Sequence, residues 1–148
     1  MAAYLWFIYA LLTAVFWGFA YVMSEHIIKN LLPTSFFIFC QGFIGVIVYT
    51  LVCYLQGDFK AGFNALADDP KISALVIFVS LIMIAAWFLV LMAIQMKNAA
   101  LVNIVEITYP FFTLFFAWLI FRDVQMSLVQ IMGGLLMFAG ATLIIWKS

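Results

Sequence analysis

Apolar runs of about twenty residues, nearly free of charge, recur along the whole chain and decide which solvent it can fold in. They are Tyr4–Ser24, Ser35–Leu55, Ile72–Gln95, Ala99–Phe121 and Ser127–Trp146. A hydrocarbon core about 30 Å thick is crossed by about 20 apolar residues in a helix. Inside it every backbone N–H and C=O must find a partner within the segment, which helices achieve. The expected fold is therefore an all-α integral membrane protein: a single domain of five transmembrane helices spanning 148 residues.

Composition supports this and excludes much else. Only 8% of residues are charged and 70% are hydrophobic, against about 25% charged in soluble domains. A soluble enzyme, a secreted disulfide scaffold and a nucleic-acid binder are ruled out. Six basic and six acidic residues leave no field to steer a polyanion. Cys40 and Cys53 lie in one run and cannot be bridged along a single helix, so they are expected to be free. No Cys/His cluster suggests a metal, no phosphate loop suggests a nucleotide, and no nucleophile–base pair suggests catalysis. The expectation is a non-enzyme without cofactors. The N-terminus does not read as a cleaved signal, since no Lys or Arg precedes Lys29 and the first run exceeds a signal core of about 7–15 residues.

Short connections make neighbouring helices antiparallel. The longest, Gln56–Lys71, places Phe59, Phe63 and Leu66 at helical spacing after Asp58, a candidate N-cap. It is either a short amphipathic helix lying on the membrane surface or a polar tethered loop. Pro33 and Pro70 stand just before the second and third runs, where a missing N–H costs nothing. Pro110 lies inside the fourth run.

Five spans put the termini on opposite sides, with Lys60, Lys71 and Arg122 on one side and Lys29, Lys97 and Lys147 on the other. Orientation follows the excess of Lys and Arg on the cytoplasmic side, and here there is none. Either the chain inserts both ways, and opposite copies pair as an antiparallel homodimer, or other signals fix one orientation. Many transporters are built from two halves of inverted topology with the site at their interface. An inverted homodimer would reproduce that plan.

The fourth run carries a small and polar stripe: Ala99, Asn103, Glu106, Pro110, Thr113 and Ala117. Glu106 is the one ionisable residue inside any run apart from tyrosines and cysteines. It lies about 10 Å from the run's start at 1.5 Å per residue. A charge there costs about 2.5–3.5 kcal/mol on insertion scales, which makes it a functional candidate. Pro110 has no N–H, so the carbonyl of Glu106 loses its helical partner. The competing reading is a packing kink beside a protonated, hydrogen-bonded acid. Trp17, Gln41 and Trp87 fall at a similar depth, about 9–12 Å from the same side. Tryptophan at the headgroup belt accounts for Trp6, Trp118 and Trp146, but Trp17 and Trp87 are too deep. With Asn103, Tyr109 and Pro110 they are candidate substrate-lining residues, with Tyr9 and Tyr21 nearby in sequence; for each alone, interhelix packing is the alternative. His26 beside Glu25 reads as an interfacial pair. In the last run Gly133 and Gly140 share a face and Gly134 adjoins them. Such glycines let another backbone approach, either as a dimer seam or as packing within the chain.

Together these residues resemble one half of a drug/metabolite transporter of the EamA-like branch. The resemblance is carried by Trp17-Gly18, Pro33, a third helix closing in a short turn, Ala99-Ala100, Pro110, the link Arg122-Asp123, Gly133-Gly134 and Gly140. It covers about Tyr4 to Lys147. Members usually hold two such halves in tandem, so here a second copy must supply the other. Gln41 stands where an arginine is frequent, and Asp123 where a glutamate is common. The Gly133/Gly140 spacing is also similar to the dimerising last helix of the small multidrug resistance proteins, which use a membrane-embedded glutamate in their first helix. The resemblance implies a multi-pass secondary transporter, in the cytoplasmic membrane if prokaryotic. It would move small organic metabolites or drugs by alternating access, with proton antiport through Glu106. An uncoupled exporter or facilitator, and a non-transporting subunit of a larger membrane complex, are the alternatives. The expected partners are a second copy, the bilayer, a small organic substrate and protons, with no nucleic acid.

Overall fold

A computed structural model describes residues 4–122 and 127–146. Asp123, of the expected polar link, and Lys147, of the charge count, lie outside the described residues. The helices are α1 (Leu5–Asn30), α2 (Thr34–Gln56), α3 (Phe59–Asp68), α4 (Pro70–Met96), α5 (Ala99–Glu106), α6 (Tyr109–Phe116) and α7 (Leu128–Ile145). A π-helical turn, Ala117–Phe121, follows α6. Among the described residues, four stretches are long and apolar enough to cross a membrane: α1, α2, α4 and Ala99–Phe121. The fifth expected run holds α7, whose apolar stretch Ile131–Ile144 is shorter than these four. The protein is an integral, multi-pass, all-helical membrane protein.

The helix ends follow local chemistry. α1 runs six residues past Ser24, carrying a Lys29–Glu25 ion pair at 2.7 Å and an Asn30 amide that donates to the His26 carbonyl at 3.0 Å. The His26 and Glu25 side chains thus make local contacts one turn on. Pro33, at φ −59° and ψ 140°, cannot continue the helix because it has no N–H and forces an extended neighbour. α2 closes on Gly57, at φ 74°, with Asp58 N–H reaching the Cys53 carbonyl at 3.1 Å. Only glycine takes that left-handed position without strain.

The Gln56–Lys71 link resolves in favour of the amphipathic helix, α3, whose Phe59 and Phe63 rings stack at 6.0 Å. Asp58 precedes it but makes no side-chain cap. Ser73 Oγ donates to the Leu66 carbonyl at 2.7 Å, tying α3 to α4. At the next junction Asn98 is a true N-cap, its side chain accepting from Leu101 N–H at 2.8 Å. This satisfies one of the orphan donors at the start of α5.

The fourth run is interrupted and is not one continuous kinked helix. α5 stops at Glu106, and Ile107 and Thr108 form a turn before α6 begins at Tyr109. Thr108 N–H bonds back three residues to Val105, and Phe111 N–H to Thr108, both at 3.1 Å. Pro110 is therefore in the first turn of α6 and not in a helix interior, a position where its missing N–H is cheap. The break falls ahead of the proline because the lost hydrogen bond is the one that would have joined residue 110 back to Glu106. The span ends at Arg122, φ 55°, whose guanidinium lies 5.2 Å from the Trp118 ring centre.

The chain divides into two compact units: residues up to Met23 together with those from Lys97 onward, and Ser24–Met96. In the first, Phe111 on α6 meets Phe138 on α7 at 5.5 Å, edge to face, and lies over Gly134. In the second, α2 and α4 are joined by Trp87 Nε1 donating to Gln41 Oε1 at 2.9 Å. Thr34 Oγ1 also donates to Gln95 Oε1, at 3.2 Å. Leu91 and Ile94 are fully buried, while long rows of Phe, Leu, Ile and Val on α1, α2 and α4 are exposed. In water an apolar surface of that extent would drive association; against lipid tails it is the ordinary exterior.

Candidate functional site around Glu106

The site is built from the first unit. Glu106 is the last residue of α5, half-buried, at the break in the fourth span. Tyr21 on α1 belongs to the same compact unit and lies close enough to Glu106 to interact with it electrostatically. Tyr21 is buried, and its ring lies against Trp17, one turn earlier, at 5.5 Å and 37°. Trp17 in turn lines an open depression along α1 with Thr13, Phe16 and Ala20. A half-exposed indole and a buried phenol on α1 thus belong to the same unit as the carboxyl at the break in the fourth span.

The other candidates fall as follows. Asn103 is half-buried one turn before Glu106, and its carbonyl accepts from Ile107 N–H at 3.1 Å. Tyr109 opens α6 and is exposed, close enough to Tyr21 to act on it electrostatically. Pro110 follows, half-buried. Gln41 and Trp87 are brought together, as expected from their common depth, but in the second unit. Gly134 faces Phe111 of its own chain, where an added Cβ would sit 3.6 Å from Cζ; around Gly133 and Gly140 nothing lies within 4 Å. Cys40 and Cys53 are free thiols. Among the described residues no group of His, Cys, Asp and Glu is placed to hold a metal.

The EamA-like transporter family model matches residues 4–146. The chain belongs to the EamA-like transporter family. It is a single EamA domain of the drug/metabolite transporter superfamily, whose members are transporters and not enzymes. Membership points to a membrane transporter of small molecules. No curated protein and no solved structure matches the chain.

Tyr21 is the residue that sequence reasoning left outside the site. A signal for it existed. It lies four residues after Trp17, and residues four apart share a helix face. A deep tryptophan and a tyrosine one turn apart mark a single face of α1.

Proposed function

We propose that this EamA domain is half of a secondary transporter that exchanges small organic molecules for protons by alternating access. In this reading α7 forms a fifth span, and two copies inserted in opposite senses complete the inverted repeat. Glu106 of each copy is the coupling acid. The carboxylate takes a proton from one side, and a substrate arriving from the other displaces that proton and occupies the same oxygens. Trp17 and Tyr109 present ring faces to an aromatic or cationic substrate, where stacking or cation–π attraction operates. Asn103 supplies an amide one turn from the acid. The open faces of Gly133 and Gly140 suit close approach of the second copy's last helix.

The observation that carries this reading is the position of Glu106. It is a carboxyl within the fourth span, at a helix break, four residues before a proline that cannot bond back to its carbonyl. Interrupted helices that offer such groups at membrane depth line substrate and ion sites.

The test is uptake of an organic cation, tetraphenylphosphonium, into proteoliposomes under an imposed pH gradient. Wild-type protein is expected to accumulate the cation, and Glu106→Gln to fall to the protein-free level. Uptake by Glu106→Gln at the wild-type rate, with the same pH dependence, contradicts the reading.

A further inference from the structure

We propose that α3 is a lipid anchor: its face of Phe59, Phe63 and Leu66 is buried among phospholipids at the boundary between headgroups and acyl chains. It does so on the side of the membrane where α2 ends and α4 begins. The assignment is independent of the transport reading, since it concerns what holds the second unit in the bilayer and not what passes through the molecule.

The tethers of α3 keep it at that boundary. The apolar run of α2 ends at Leu55 and that of α4 starts at Ile72, and both helices are long and apolar enough to cross a membrane. Gly57 and Asp58 alone separate α2 from α3, and Asp69 alone separates α3 from α4. With consecutive Cα atoms 3.8 Å apart, the first link reaches at most about 11 Å and the second about 8 Å. Both are shorter than that in practice. The left-handed turn at Gly57 brings Asp58 N–H back to the Cys53 carbonyl at 3.1 Å. At the other end Ser73 Oγ donates to the Leu66 carbonyl at 2.7 Å, and Lys71 N–H donates to Asp69 Oδ1 at 2.8 Å. All of these residues belong to the same compact unit.

The faces of α3 suit such a place. With 3.6 residues per turn, Phe59, Phe63 and Leu66 fall on one arc of the helix, and Lys60, Asn64 and Asp68 on another. The Phe59 and Phe63 rings stack on each other at 6.0 Å, yet Phe63 stays 65% exposed and Phe59 and Leu66 38% each. Two phenyl rings and a leucine held open to water beside a bilayer are driven into it, while the polar arc stays among the headgroups. Charge narrows the lipid. Lys60 and Asp68 cancel within α3, and Asp58, Asp69 and Lys71 flank it. Attraction to anionic headgroups needs an excess of basic residues, which this segment lacks. The anchor is therefore apolar, and a zwitterionic lipid suffices. A helix that cannot sink past its own charges, tied closely to both spans, fixes the depth of α2 and α4 at this side.

Spin-label accessibility on the full chain in phosphatidylcholine vesicles tests this. In a background of Cys40→Ala and Cys53→Ala, nitroxide labels are attached to single cysteines placed by Phe59→Cys, Lys60→Cys, Phe63→Cys, Asn64→Cys, Leu66→Cys and Asp68→Cys. Collision with oxygen, which dissolves in acyl chains, is measured against collision with a water-soluble nickel chelate. The ratio is expected to favour oxygen severalfold at 59, 63 and 66 relative to 60, 64 and 68. Equal nickel access at all these positions would mean a solvated helix and overturn the proposal. Low access of both reagents at 59, 63 and 66 would mean a protein cover, such as a second copy, and overturns it as well. A pattern that emerges only when phosphatidylglycerol is added contradicts the apolar anchor. Wild-type protein gives a second reading that needs no substitution. A carbene probe dissolved in the acyl chains, followed by peptide mass spectrometry, is expected to label the Phe59, Phe63 and Leu66 face and spare Lys60 and Asn64. An α3 without label overturns the proposal equally.

Discussion

An amide and an indole that meet between helices in lipid have few other partners to turn to. Gln41 and Trp87 are such a pair, from α2 and α4, with a 2.9 Å hydrogen bond. Hydrogen bonds of this kind in membranes average about 0.6 kcal/mol and reach at most about 1.7 kcal/mol, because the unfolded state also finds partners. A double-mutant cycle on Gln41→Leu and Trp87→Phe, followed by unfolding in detergent, is expected to return a coupling in that range. A coupling of zero would make the contact incidental. Trp87 could be read from the sequence as unusual because it lies too deep for a headgroup anchor, and Gln41 because it is an amide at a similar depth. Glu106 stood out for a similar reason, as a carboxyl where insertion is costly. Tyr21 did not. Depth follows from counting residues, but the partner of a side chain depends on how each helix is rotated, and almost uniformly apolar helices carry little amphipathic signal to set that rotation.

At the scale of elements, the fourth span was the least legible. Pro110 marked a disturbance, yet its place in the first turn of α6 and the turn at Ile107–Thr108 depend on which side of the proline the helix restarts. Replacing Pro110 by Ala restores an N–H that can bond to the Glu106 carbonyl and lets α5 and α6 merge. The variant is expected to be at least as stable as wild type in thermal unfolding, while proton-driven uptake falls severalfold because the acid's backbone is no longer free. Full uptake by Pro110→Ala would separate the break from the transport cycle. The π-helical turn and left-handed Arg122 that close the span had no sequence signal. Helix starts fared better: Pro33 and Pro70 sit at the beginnings of α2 and α4, since proline permits few backbone conformations. α3 emerged from Phe59, Phe63 and Leu66 because an amphipathic period is strongest in short, mixed segments.

For the whole molecule the issue is how a single EamA domain completes a transport path. The family match covers one EamA domain, residues 4–146, and in the proposed reading a second copy supplies the other half of an inverted repeat. The chain's Lys and Arg residues divide three against three across the expected five spans, so the charge rule that normally orients a membrane protein has nothing to act on. In the proposed transporter two copies insert in opposite senses and together form the transport path. The most direct test is sided labelling in intact cells, with Cys40 and Cys53 replaced and a single cysteine placed by Ser148→Cys. A membrane-impermeant maleimide applied from outside is expected to label about half of the molecules, the remainder reacting only after permeabilisation. Labelling of all or of none from outside would mean one fixed orientation, and would contradict the inverted homodimer.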